Sequence, residues 1–367
     1  FDAYRIDHIL GFFRIWEIPL DAVHGLLGHF HAAMPLSPDE LAQKGFRFDA
    51  SWQTVPYVRE ESLHDIFGAY TDEVKTRFLV DKGNGRWDLN VMMDTQRKVV
   101  DYFSGADDEM NVSIRDGLLK LLDEVLFLED PDQPGYYHPR IMGNRTQAYR
   151  ALDDEQKDCF DRLYEDFFYW RHNDFWKSEA LRKLPVLVAS TDMLVCGEDL
   201  GMIPACVPEV MKQLQILSLE IPRMPKEWNC EFGDVSRYPV RSVCTTSTHD
   251  MSGIRGWWQE DPARTQRYFN EVLGEPGQAP ATCEPWICER MVELTLSAPS
   301  MLAILPLQDW LSIDGRLRRK NPDEERINNP ACPHYYWRYR MHLSLEQLLA
   351  EGVFNTRLQE MIARSGR

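Results

Sequence analysis

Residues Phe1–Pro19 read FDAYRIDHILGFFRIWEIP. An apolar run carries Arg5 and Asp7 two positions apart, with His8 next and aromatic residues following. Residues two apart share one face of a strand. A hydrophobic strand ending this way admits two readings. It holds a structural ion pair, or it holds a carboxylate kept ionised for chemistry by the guanidinium beside it.

Four further short apolar runs end in polar residues: MLVCGED at Met193–Asp199, ILSLEIPRMP at Ile216–Pro225, SVCTTSTHD at Ser242–Asp250 and MLAILPLQD at Met301–Asp309. Runs without strict alternation fit strands buried on both faces, as in a parallel sheet. Helical patterns separate most of them, at Val207–Ile216, Arg264–Gly274 and Cys288–Ala298. Strands alternating with helices, and chemistry at the strand ends, predict an α/β fold of the (β/α)8 TIM-barrel type. Five strands are visible where a closed barrel has eight. The missing three are expected before Phe1, which makes the chain the C-terminal part of a longer protein.

Residues 1–35 are then a barrel strand with its connection, and 183–340 the remaining barrel strands and helices. Between them, about 36–182 reads as a largely helical inserted subdomain, too long for an ordinary barrel loop. Residues 341–367 read as closing helices. The aromatic stretch FFYWRHNDFW at Phe167–Trp176 reads as the core of the insert, with a homo-oligomer contact as the alternative.

Hydrophobic residues make up 44% of the 367 residues and aromatics 11%, enough for a sizeable packed core. A net charge of −17 argues against nucleic acid or an anionic membrane as partner, since both need basic patches. No apolar run is long enough to span a bilayer. Eight cysteines without a C-x-x-C pair suggest reduced thiols in a cytoplasmic protein, and no cofactor is indicated.

Three carboxylates lie at three strand ends: Asp7, Glu198 beside Asp199, and Asp250 beside His249. Gathered on one rim, they suit glycoside chemistry, in which one carboxylate attacks and another holds a proton for the leaving oxygen. Arg5 would keep Asp7 ionised, and the apolar strand under Glu198 would favour its neutral form. A metal site drawn from Asp7, His8, His249 and Asp250 is disfavoured by the cationic Arg5.

R-I-D-H, then G-E-D-L-G, then H-D, in this order, resembles the 4-α-glucanotransferases of the amylomaltase and disproportionating-enzyme family, relatives of the α-amylases. The long insertion is similar to that of the large plant-type members. The resemblance implies Asp7 as nucleophile, Glu198 as general acid/base and Asp250 as transition-state stabiliser. It carries Arg5 and His249 over as substrate-site residues, while His8, Asp199, Gln308 and Asp309 are further candidates for sugar contact. Asn328–Pro330 and Tyr336–Arg338 look like the closing region of the family. The implied reaction is retaining transfer of glucosyl units from maltose or an α-1,4-glucan to a glycan acceptor. An α-amylase-like hydrolase would use the same carboxylates, and an inactive glucan-binding fragment is the reading from another class. Trp257 and Trp258 are open between sugar stacking and core packing.

Overall fold

The computed structural model describes residues 1–227 and 229–367. The chain divides into two compact units. The first comprises residues 1–10, 183–203 and 207–367, and the second 11–182 and 204–206.

All five apolar runs of the first unit are strands: β1 (Ala3–Ile6), β2 (Leu194–Gly197), β3 (Ser218–Glu220), β4 (Ser242–Cys244) and β5 (Leu302–Ala303). Every pairing is parallel. Arg5 lies opposite Cys196, Ser218 opposite Ser242 and Val243 opposite Leu302. A parallel bridge between Cys196 and Leu217 joins β2 to β3, so the spatial order follows the chain order. Among the described residues the sheet is open and does not close into a barrel.

The helical patterns appear close to their expected places, as Cys206–Gln213, Pro262–Arg267 continuing into Tyr268–Val272, and Pro285–Leu296. Asp261 caps the second of these by accepting from the amides of Ala263 and Arg264, the arrangement that makes Asp a strong helix start. Trp257 and Trp258 resolve as core residues, packed with Tyr268, Ile287, Val292 and Phe354. The Trp258 indole is also fixed by a 2.8 Å bond to the Pro280 carbonyl. Burying this cluster is the main drive for folding around the sheet.

The second unit is divided from the first at a different point and carries more strand than its pattern suggests. It begins at residue 11 rather than 36, because Ile15–Glu17 pairs antiparallel with His29–His31 and the Arg14 guanidinium lies 4.3 Å over Phe30 and 5.2 Å over Trp176. It is also less purely helical than its charge pattern suggests, since two further small antiparallel sheets are present. Its helices are capped by side chains, with Ser37, Thr95, Asp108 and Asp153 each accepting from an amide of the first turn. Gly117 has no room for a side chain, because a Cβ there would collide with the Phe67 ring. In the Phe167–Trp176 stretch, Phe167, Phe168, His172 and Trp176 are buried, whereas Tyr169 and Trp170 face solvent.

Candidate active site

The three carboxylates emerge beyond the C-terminal ends of β1, β2 and β4. Asp7 is exposed, and its Oδ1 accepts from Arg5 Nη2 at 2.7 Å. At His8 the chain turns with φ of 50°, a left-handed conformation uncommon outside glycine. The turn aims the His8 amide at Glu198 Oε2, 3.1 Å away, while the Leu200 amide donates to Oε1 at 2.9 Å. Main-chain bonds from Glu198 N to the Ile6 carbonyl and from Ile9 N to the Glu198 carbonyl lock the two strand ends together. Glu198 thus sits between amide donors rather than in purely apolar surroundings. A proton destined for a leaving group must occupy a lone pair that those amides leave free.

Asp250 is exposed and held on both oxygens. His249 Nε2 lies 3.1 Å from Oδ2, and the Asn328 side-chain amide donates to Oδ1 at 3.0 Å. The His249 ring also packs against Trp337, with centroids 5.0 Å apart. Arg326 Nε donates to the Asn328 carbonyl at 2.8 Å, fixing the residue that fixes Asp250.

Two cavities reach this region. One of about 410 Å³ lies against the strands themselves, lined by Arg5, Cys196, Leu219, Val243 and Leu302 together with Ser247 and Thr248, and none of the three carboxylates is in its lining. Another, of about 730 Å³, is lined by Asp250, Ser252, Glu260, Arg264 and Arg326. Arg223, buried in its wall, donates to the carbonyls of Thr246 and Ser252. Burial pushes its guanidinium down to about 10.

Three of the residues expected to touch sugar are placed behind the site instead. Asp199 is 2% exposed. It accepts from the Leu219 amide at 2.9 Å and from Lys226 Nζ at 2.7 Å. Burial raises its carboxyl to about 6, against the pull of the lysine. Lys226 also bonds Glu220 Oε1 at 2.9 Å, so one ammonium ties the ends of β2 and β3. Asp309 accepts from the hydroxyls of Thr246 and Ser247, both at 2.6 Å, and from the Ile254 amide at 3.0 Å. It therefore braces the loop that carries His249 and Asp250. Gln308 is buried and donates to the Glu325 carbonyl at 3.3 Å. All three side chains are buried.

Arg5, His8 and His249 are left open enough for substrate. Arg326 and Lys226 are not singled out by patterning, whereas Asn328 lies in the stretch matched to the family's closing region although its contact with Asp250 is remote in sequence. Among the described residues, no group of three or more His, Cys, Asp or Glu side chains is placed to hold a metal ion, and no helix is long and apolar enough to cross a membrane.

Comparison with known proteins follows the same lines. A family model described as 4-alpha-glucanotransferase matches residues 1–345. The 4-alpha-glucanotransferase DPE2 of Oryza sativa subsp. japonica is 39% identical over 372 residues, covering 100% of this chain and 39% of the rice protein. A 4-alpha-glucanotransferase of Chlamydia pneumoniae is 32% identical over 182 residues, covering 49% of this chain and 34% of its own length. The chain thus spans about two-fifths of the rice relative and a third of the chlamydial one. An amylomaltase from Streptococcus agalactiae in complex with acarbose matches 91% of this chain and 56% of its own, at a TM-score of 0.39 and 14% identity.

Proposed function

This chain belongs to the 4-alpha-glucanotransferase family, and from that membership we propose that it carries the catalytic carboxylates of a retaining 4-α-glucanotransferase acting on maltose or α-1,4-glucans. The five parallel strands are read as consecutive strands of a (β/α)8 barrel, a reading supported by their chain-ordered parallel pairing. The observation that carries the proposal is that Asp7 and Glu198 directly follow two paired parallel strands, the His8 amide donating to Glu198, while Asp250 lies on the loop beyond a third strand of the same parallel arrangement.

In the first step Asp7 attacks the anomeric carbon, and the glycosidic C–O bond breaks as Glu198 gives its proton to the departing oxygen. Arg5 holds Asp7 by charge until the attack. Asp250, fixed by Asn328 and His249, stands where positive charge on the sugar ring can be stabilised. In the second step Glu198 takes the proton of an acceptor hydroxyl, whose oxygen displaces Asp7 and restores the original anomeric configuration. Arg5, His8 and His249 contact sugar hydroxyls, while Asp199, Gln308 and Asp309 brace the loops. A cytoplasmic setting is supported by eight unbridged cysteines.

The test is a maltose assay with and without added glycogen, on the complete natural protein and on its Asp7→Asn and Glu198→Gln variants. Glucose release that depends on glycogen, without matching growth in reducing ends, is expected for transfer. Either substitution should cut the rate at least about a hundredfold. Acceptor-independent release with rising reducing ends would replace transfer by hydrolysis. Near-unchanged rates in either variant would overturn the assignment of roles.

A further inference from the structure

Residues 326–343 contain no helix or strand, yet both ends of the segment are tied down. At one end Asn328 donates to Asp250 and its carbonyl accepts from Arg326. At the other, Arg319 Nη2 donates to the Arg340 carbonyl at 2.5 Å, the Arg319 guanidinium lies 5.9 Å over the Tyr339 ring, and His342 Nε2 bonds the Leu317 carbonyl at 2.7 Å. The span between these anchors presents three aromatics to solvent, Tyr335 at 37%, Tyr336 at 69% and Trp337 at 58% exposure. Among the described residues Trp337 has one ring neighbour, His249, at 5.0 Å and 41°, and His249 in turn pairs with Asp250. An indole held beside His249 with much of its surface open is not filling a core. Its occupant must offer an apolar face to the ring and hydroxyls to the adjoining histidine and carboxylate. A pyranose ring, with C–H bonds on its faces and hydroxyls at its edge, offers both.

We propose that Trp337 is the stacking platform for a glucosyl unit adjoining the one that reacts at Asp7, and so sets the preference for longer over shorter glucans. The proposal rests on the glucanotransferase reading above. Because the indole touches the substrate and not the reacting atoms, its removal acts on KM rather than kcat. Maltose, which reaches fewer positions, depends on it less than maltoheptaose does.

The experiment compares Trp337→Ala, Trp337→Phe and, as a control, Trp170→Ala in the complete natural protein, with melting temperatures to verify folding. Trp170 is an equally exposed indole of the second unit, at 61%, with no sugar contact assigned to it. Trp337→Ala should raise the KM for maltoheptaose about tenfold and that for maltose about twofold, with a matching loss of maltoheptaose affinity in calorimetry. Trp337→Phe should retain affinity within about threefold, since a phenyl ring still stacks. Trp170→Ala should behave as the unsubstituted protein. Unaltered maltoheptaose affinity in folded Trp337→Ala overturns the platform while leaving the glucanotransferase reading intact. Absence of both maltoheptaose binding and transfer in the unsubstituted protein overturns that reading, and the platform with it.

Discussion

Asn328 donates its side-chain amide to Asp250 Oδ1 at 3.0 Å, across 78 positions of sequence. The bond joins the irregular segment after residue 325 to the loop beyond β4, and it leaves Asp250 one oxygen for His249 and lone pairs for a ligand.

Replacing Asn328 by alanine removes the donor that orients Asp250 without touching the nucleophile. The kcat for maltose disproportionation should fall about tenfold, the typical scale for a lost hydrogen bond to a charged group. Asn328→Asp, which sets a second carboxylate against Asp250, should be worse than alanine. Steady-state kinetics on the three proteins at one pH orders them. An aspartate variant faster than the alanine variant would contradict the role.

Asp309 gives a different kind of loss. Its carboxylate accepts two hydroxyl bonds and one amide bond, all buried. In Asp309→Asn one oxygen becomes an NH2 group, so either the hydroxyls of Thr246 and Ser247, which share Oδ2, or the Ile254 amide on Oδ1 must lose its acceptor. The expected loss is about 1–3 kcal/mol of stability. Gly253→Ala should act in the same direction, since a Cβ there would stand 2.8 Å from Asp309 Oδ1. Both variants should melt a few degrees lower and lose activity together, because the strained loop carries Asp250. Differential scanning fluorimetry checks the first effect and the transfer assay the second.

The second unit should be acid-labile through two histidines. Burial pushes both His138 and His172 down to about 4 from an ordinary value of 6.5. His138 keeps one bond, from Nε2 to Asp130 at 2.8 Å, and His172 Nδ1 bonds the Phe167 carbonyl at 2.8 Å. Since both fold best as neutral rings, their full contribution is present above about pH 6.5 and is lost progressively as the pH falls toward 4. Each shift corresponds to about 3 kcal/mol at complete protonation. Thermal melts from pH 7.5 to 4.5 should show the transition of this unit dropping steeply below about pH 6. His172→Gln should flatten that dependence, and an identical slope in the variant would count against the histidine as its source.

How much of this was readable beforehand follows from the range of each interaction. The five strands were legible because they leave continuous apolar runs, as at Met193–Gly197 and Ser242–Cys244, and Asp7 and Glu198 follow theirs directly, with Asp250 six residues beyond its own. The start of the second unit was not legible. The pairing of Ile15–Glu17 with His29–His31 is too short to impose a pattern, and the Arg14–Phe30–Trp176 stack draws on residues far apart in sequence. The same limit hid the parts played by Asp199 and Asp309. A carboxylate at a strand end reads alike whether it faces a ligand or a lysine, and only the fold reveals Lys226 behind one and two hydroxyls behind the other.

Lys226 offers the sharpest separation of charge from packing. Its ammonium faces Asp199 at 2.7 Å and Glu220 at 2.9 Å, with the Ser218 hydroxyl also donating to Glu220 at 2.8 Å. In Lys226→Met the stem is kept and the charge is lost, so two enclosed carboxylates face each other without a cation. Breaking such a pair at pH 8, above the folded value of Asp199, should cost about 3–5 kcal/mol. Asp199 already has its carboxyl raised to about 6 by burial. A raised carboxyl favours the protonated fold, so its contribution is present at acid pH and lost as the pH climbs through the folded value. Without the lysine that value moves higher still, and at pH 5 the variant can relieve the repulsion by taking up a proton. The gap between Lys226→Met and the unsubstituted protein should therefore be wide at pH 8 and narrow at pH 5. Urea denaturation at the two values measures it, and a gap of equal size at both would mean that the lysine acts through its packing instead of its charge.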